Sequence, residues 1–291
     1  LFRSEEPWLF QRQLGFEWNG YRQESSYYSD FYDETRLGTS FFFRKRIWEL
    51  IEGRVGYTVE DIGVSDVSQN APMDIKKESG HRSVSKVTVN FLRDQRNSLM
   101  FPSNGTRFEI INELAGGPFF GQTNYYKLEG RAGWWTSLFG KDDTHVFQLI
   151  ARGGSMMAYG GQTGIPYMER FFLGGSYNMR GYGYREVGPY QTDPNQSGEG
   201  EPLGGATFVY FSPEYTFKIL EQVRLAVFYD FGYVNAGEWD FDSSNYSHNI
   251  GVGIRILVMG APLRLDLGYP LNPNKYQSQS VQFNFSFGTA F

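Results

Sequence analysis

Val281-Gln282-Phe283-Asn284-Phe285-Ser286-Phe287-Gly288-Thr289-Ala290-Phe291 closes the chain and alternates without a break. On an extended strand Val281, Phe283, Phe285, Phe287, Thr289 and Phe291 take one face, while Gln282, Asn284, Ser286, Gly288 and Ala290 take the other. A period of two over this span matches the ~9–11 residues with which a tilted strand crosses a bilayer. The pattern recurs upstream. Leu225, Val227, Tyr229, Phe231 and Tyr233 stand against Arg224, Ala226, Phe228, Asp230 and Gly232, and Leu263, Leu265, Leu267 and Tyr269 stand against Arg264 and Asp266. Further copies are Leu14-Phe16-Trp18, Val87-Val89-Phe91, Phe147-Leu149-Ala151 and Ile250-Val252-Ile254-Ile256, each read at every second residue.

A sheet with one face in water also alternates, so the polar positions decide between solvents. Lys127, Glu129, Arg131, Arg255, Arg264 and Asp266 all fall in mid-strand. A hydrated or plugged lumen accepts such charges, whereas the core of a soluble sheet does not.

About twelve strands follow from this pattern: 14–23, 35–45, 49–61, 84–94, 106–115, 124–136, 145–158, 205–216, 223–234, 249–258, 262–270 and 281–291. Their connections sort by length. The segments 271–280, 235–248, 159–204, 62–83 and 24–34 are long; 259–262, 217–222, 137–144 and the hinge near Arg46-Ile47-Trp48 are short, and 95–105 is intermediate. Long loops at one end and tight turns at the other are the habit of an outer-membrane barrel. A soluble sandwich has no reason to sort them. The expected fold is therefore all-β, a transmembrane antiparallel β-barrel formed by residues 1–291, with the long loop folded into its lumen.

Composition agrees. Aromatic residues make up 18% of the chain, yet mean hydropathy is −0.45. Lipid contact on alternate residues, with aromatic girdles at both interfaces, reconciles the two numbers. The absence of cysteine excludes disulfides and thiolate metal sites. A net charge of −5 gives no basic surface for nucleic acid. No apolar run reaches the ~18–20 residues of a transmembrane helix. The opening Leu1-Phe2-Arg3-Ser4-Glu5-Glu6 is no signal peptide, and parity makes residues 1–4 the tail of an earlier strand ahead of a turn at Glu6-Pro7-Trp8-Leu9-Phe10. The expectation is that further strands lie upstream.

The connection 159–204 is too long to be a plain link. Its first half, from Tyr167 to Tyr182, mixes aromatics with Gly174, Gly175 and Gly181 and is suited to packing inside the lumen; Gln191 to Gly200 reads as a polar exposed loop. Within it, Phe172-Leu173-Gly174-Gly175-Ser176 followed by Met179-Arg180-Gly181-Tyr182 resembles the Val-Arg-Gly-Phe loop motif of the BamA superfamily of outer-membrane assembly and translocation proteins. Other segments match in family order. Arg93-Asp94-Gln95-Arg96 with Phe101-Pro102-Ser103-Asn104-Gly105 resembles the family's Asp-x-Arg…Pro-x-x-Gly turn. Ser212-Pro213-Glu214-Tyr215 resembles its Glu-aromatic strand, and Phe228-Tyr229-Asp230-Phe231-Gly232 its aromatic-x-Asp-x-Gly strand. Pro7-Trp8-Leu9-Phe10 resembles its Asn-Pro-x-Phe turn with Glu6 in place of Asn, and the terminal Phe291 resembles the barrel-assembly signal.

The resemblance implies the C-terminal part of a sixteen-stranded barrel preceded by periplasmic POTRA domains, in the outer membrane of a Gram-negative-type bacterium. It implies that Arg180 pairs with Asp230 and Glu214 in the lumen, with Gly174, Gly175, Met179, Gly181 and Tyr182 shaping the loop. It also implies a lateral seam along the last strand, at Phe283, Phe285, Phe287 and Phe291, that templates an incoming strand by edge pairing. The function implied is insertion and folding of outer-membrane β-barrel clients without cofactor or nucleotide, among outer-membrane lipids and with accessory assembly lipoproteins. The alternatives are a translocator of the TamA or FhaC kind, a passive pore and a membrane anchor. Nothing points to an enzyme. His81, His145 and His248 are isolated, Gly174-Gly175-Ser176 belongs to the loop motif, and Asp142-Asp143 and Asp240-Phe241-Asp242 read as solvated turn residues rather than Ca²⁺ ligands.

Overall fold

Alternation becomes outside and inside once the strands pair. The computed structural model describes residues 2–26, 31–69, 71–140, 143–192 and 200–288. Its strands are β1 (Phe2–Glu6), β2 (Gly15–Ser25), β3 (Asp33–Trp48), β4 (Ile51–Ser65), β5 (Gly80–Asp94), β6 (Gly105–Ala115), β7 (Tyr125–Ser137) and β8 (His145–Ala158). After the long loop come β11 (Thr207–Leu220), β12 (Val223–Asn235), β13 (Ser247–Val258), β14 (Ala261–Pro270) and β15 (Gln282–Phe287). A small hairpin inside that loop supplies β9 (Tyr190–Thr192) and β10 (Gly200–Pro202). The remaining thirteen strands form one antiparallel meander in chain order, β8 pairing directly with β11.

Each of the twelve expected strands is present. The thirteenth, β1, extends the expected tail to Glu6 and pairs with β2. Glu6 works in the turn as Asn would, its side-chain carboxylate accepting the Trp8 N–H at 3.0 Å. Of the terminal segment, residues 282–287 are strand, and Thr289, Ala290 and Phe291 lie outside the described residues.

The faces are inverted relative to a soluble protein. Val252 is 54% exposed and Phe285 59%, on the same outer face as Val227 and Leu267. The inner face buries Glu17, Glu60, Glu129, Glu214, Asp230, Arg255 and Asp266. Such a surface is stable only with lipid outside.

One end of the sheet carries the links 49–50, 221–222 and 259–260; the other carries 66–79, 159–206, 236–246 and 271–281. At the first end, 95–104 folds inward, with Asp94 gripping Arg96 through Nε and Nη2 and accepting its backbone N–H. Two expectations need correction. The ends of the expected loop Gln191 to Gly200 are strand rather than loop, since Gln191, Thr192 and Gly200 pair in the β9–β10 hairpin, braced by Tyr190 stacked on Tyr276 at 5.0 Å; residues 193–199 lie outside the described residues. Asp143 is no free solvated turn residue either, since it holds Lys218 and Arg224; Asp142 lies outside the described residues.

The apolar core sits within the lumen near the long-loop end, and much of it comes from the loop: Tyr167, Met168, Phe171, Leu173, Met179, Tyr182 and Val187 are buried against Ile62, Val84, Phe208 and Val234 of the wall. A loop with that many buried aromatics and aliphatics folds inward because the lumen, unlike water, gives them partners.

Candidate functional site: an ion lock in the lumen

Two left-handed glycines start the loop tip, Gly174 at φ 118° and Gly175 at φ 106°. Asn178 then caps the turn, its side-chain oxygen accepting the Gly174 N–H at 2.6 Å, and the Tyr182 carbonyl accepts the Gly175 N–H at 3.1 Å. Met179 adopts φ 43°, an unusual value for a residue with a side chain, and is fully buried. The next residue, Arg180, is thereby aimed into the wall formed by β11–β15.

Arg180 is 2% exposed, Glu214 3% and Asp230 0%. Asp230 takes three hydrogen bonds from Arg180, from the backbone N–H (3.0 Å), Nε (3.0 Å) and Nη2 (2.8 Å). Arg180 Nη1 donates to Glu214 Oε2 at 2.6 Å, and Nη2 donates to Ser212 Oγ at 3.1 Å. The planar fork of arginine matches these partners in a way lysine cannot. Ser212 and Asn249 also donate to Asp230, at 2.7 and 3.0 Å. Below the guanidinium lies Phe228, its ring centroid 3.4 Å from Arg180 Cζ.

This gives the Phe228-x-Asp230-x-Gly232 pattern its physical content. Phe228 supports the cation, Asp230 pairs with it, and Gly232 leaves room for the loop, since a Cβ there would sit 2.9 Å from Leu173 and 3.1 Å from the Met179 sulfur. Gly181 allows a backbone-close approach as well. A Cβ on it would meet Asn249 Cβ at 2.4 Å, and a Cβ on Gly268 would meet the Arg180 carbonyl oxygen at 2.5 Å. Tyr182 finishes the tip by donating to the His248 carbonyl (3.0 Å) or Asn272 Oδ1 (2.9 Å).

The lock is wider than the three residues expected. Arg255 donates to Glu214 from Nε (3.1 Å) and Nη2 (2.8 Å), and from Nη1 to Asp266 at 2.7 Å. Arg180, Arg255 and Arg264 face Glu214, Asp230 and Asp266, three cations to three carboxylates. Such a buried group is tolerable because its charges cancel and hydrogen bonds orient them. Asn284 of β15 donates to the Arg180 carbonyl at 2.6 Å and accepts from Ser176 Oγ at 3.2 Å, which ties the loop tip to the last strand. By contrast, Phe283, Phe285 and Phe287 point outward opposite Leu267, Leu265 and Leu263 of β14 and take no part in the lock.

A second tether fixes the loop's near side. Glu169 accepts from Tyr125 Oη at 2.7 Å and lies 3.6 Å from Lys86 Nζ and 3.7 Å from Arg36 Nη1; Arg36 also donates to the Met168 carbonyl at 2.9 Å. Burial alone would push the Glu169 carboxyl up, but Lys86, Arg36 and the Tyr125 hydroxyl outweigh it and hold it below its ordinary value. Sequence reading missed this tether. Its signal was a glutamate flanked by Met168 and Arg170 inside an otherwise apolar run.

The Omp85 superfamily domain model matches residues 2–291, almost the whole chain. The chain belongs to the Omp85 superfamily. Among Omp85 relatives, the outer membrane protein assembly factor BamA of Nitratidesulfovibrio vulgaris is 29% identical over 91% of this chain, which spans 33% of that protein. The sorting and assembly machinery component 50 homolog of Mus musculus is 27% identical over 71% of the chain and 41% of its own length. The crystal structure of BamA from Haemophilus ducreyi lacking POTRA domains 1–3 superposes with TM-score 0.80 at 16% identity, covering 97% of this chain and 60% of that one. CdiB from Acinetobacter baumannii gives TM-score 0.57 at 18% identity, covering 94% and 47%. The chain is thus an outer-membrane β-barrel of the Omp85 type, and it spans a third to less than half of the curated relatives named.

Proposed function

We propose that this barrel is the membrane domain of a BamA-like assembly factor that inserts and folds outer-membrane β-barrel clients. The observation that carries the reading is the locked loop. A pore for small solutes needs an open path, whereas here the long-loop end of the lumen is occupied by a loop held through a neutral six-charge cluster. The names of the curated relatives, assembly factors of the outer membrane and of a sorting and assembly machinery, support the same reading. No covalent chemistry is required of any residue. The client's own folding supplies the free energy, and the barrel supplies a strand edge and a perturbed bilayer around it.

The seam belongs to this reading as well. Among the described residues β15 covers 6 residues, while β11 to β14, beside it in the sheet, run from 10 to 14. A short strand is the easiest to part from its neighbour and to offer as an edge. Outer-membrane lipids and accessory lipoproteins are the expected partners.

Client folding by the full-length protein in liposomes tests the proposal. The expected result is faster appearance of a folded, protease-resistant client barrel than in empty liposomes, across several unrelated clients. Acceleration of only one narrow class would favour a translocator of the TamA or FhaC kind. No acceleration by a folded barrel, together with a large steady conductance, would leave the passive pore.

A further inference from the structure

Three arginines stand in register across consecutive strands. Arg224 of β12 lies directly opposite Arg255 of β13, which lies opposite Arg264 of β14. All three point inward and are buried, at 4%, 4% and 8% exposure. Like charges directly opposite each other are destabilising, so each needs an answering anion. Arg224 has Asp143, through Oδ2 at 2.5 Å and the backbone carbonyl at 3.0 Å. Arg255 has Glu214 and Asp266. Arg264 is left with Glu214 at 3.7 Å and Asp266 at 3.9 Å, both beyond hydrogen-bond length, and among the described residues its buried Nε has no hydrogen-bond partner. Among the described residues the buried Nε of Arg224 has none either, and both of its Nη groups are taken by Asp143.

Both side chains line one recess, a cavity of about 70 Å³ partly open to solvent, at the short-turn end of the lumen. The rest of its wall joins apolar side chains to Arg96, Arg255, Glu214, Gln148 and Thr216. The inward-folded 95–104 turn contributes Leu99, Met100 and Phe101, and the sheet contributes Trp135 and Ile150. We infer that this recess is a binding site for an apolar monocarboxylate, with the carboxylate on the Nη groups of Arg264 and the apolar body against Trp135 and the Leu99–Phe101 turn. A carboxylate fits the bidentate geometry of a guanidinium with free N–H groups. A dianion does not, because Glu214 and Asp266 already lie within 4 Å of Arg264. The inference is independent of the assembly reading.

The test uses the full-length protein in lipid nanodiscs and a ring-fluorinated phenylpropionate followed by fluorine NMR. Saturable binding is expected, with the corresponding neutral amide about tenfold weaker. Arg264→Gln should abolish the preference for acid over amide, while Arg264→Lys, which keeps the charge without the fork, should retain part of it. Met100→Glu, on an exposed part of the turn, places a competing carboxylate at the mouth without disturbing the buried charges, and should also remove acid binding. An acetylated dipeptide ending in phenylalanine is run beside the free acid. Either ligand binding through Arg264 supports the site, and the tighter of the two identifies its source. No saturable binding, equal affinity for acid and amide, or indifference to both Arg264→Gln and Met100→Glu would overturn the proposal and leave the recess to water.

Discussion

Arg180→Ala should release the loop tip, and the structure says how strongly. The substitution leaves Glu214 well supplied, since Arg255 still donates to both of its oxygens. Asp230 fares worse. It loses its two side-chain bonds from Arg180 and keeps Ser212, Asn249, the Tyr210 hydroxyl at 3.5 Å and a backbone N–H, all neutral, around a fully buried charge. Removing one partner of a buried ion pair costs about 3–5 kcal/mol, or some two to four powers of ten in the docked population. Because the penalty comes from the stranded carboxylate, Asp230→Asn in the Arg180→Ala background should restore most of it. The assay is protease cleavage of the loop at Arg185 in membranes, with the midpoint of urea unfolding measured on the same proteins. The single variant should be cleaved readily and the double variant much less. Equal protection of wild type and Arg180→Ala, or a double variant no better than the single, would refute the reasoning.

Other expectations follow from the same contacts. Gly181→Ala and Gly268→Ala attack one interface from opposite sides, and each should loosen the loop by about 1–3 kcal/mol through overpacking, read as increased cleavage at Arg185. Asn284→Ala removes the donor to the Arg180 carbonyl and should weaken the tip by about 1–3 kcal/mol; amide hydrogen exchange should rise at both Ser176–Tyr182 and β15. Glu169, held below its ordinary value, contributes stability that is fully present above the unfolded carboxyl pKa of ~4.3 and is lost as pH falls through the depressed value. Loop protection should therefore be flat from about pH 7 to 5 and decline only below about 4, and Glu169→Gln should weaken it at neutral pH.

The strands were legible because lipid enforces the alternation. Val252 and Phe285 can face outward only if hydrocarbon is there, and Asp230 and Arg255 can face inward only if partners are there. Where a strand leaves the bilayer the constraint lapses, which is why β3 runs on to Trp48 and β4 to Ser65, past the residues at which alternation stopped. The β9–β10 hairpin left no periodic trace, since three residues a side are too few. Arg180, Glu214 and Asp230 were found through motifs, and parity had already placed Arg255, Arg264 and Asp266 inward. What parity lacks is register between strands, and register is what sets Arg255 opposite Arg264 and brings Glu214 to both. Asn249, Ser212 and Asn284 carried no signal, because any lumen wall is rich in amides and hydroxyls.

The central claim is that the loop is docked in the lumen against the last strand through Arg180. The chain has no cysteine, so an introduced pair reports without background. Ser176→Cys with Asn284→Cys, positions whose side-chain oxygens lie 3.2 Å apart, should form a disulfide under mild oxidation in native outer membranes. Adding Arg180→Ala should greatly reduce its yield. Failure of the pair to cross-link in a correctly folded barrel, or cross-linking that ignores Arg180→Ala, would contradict the account.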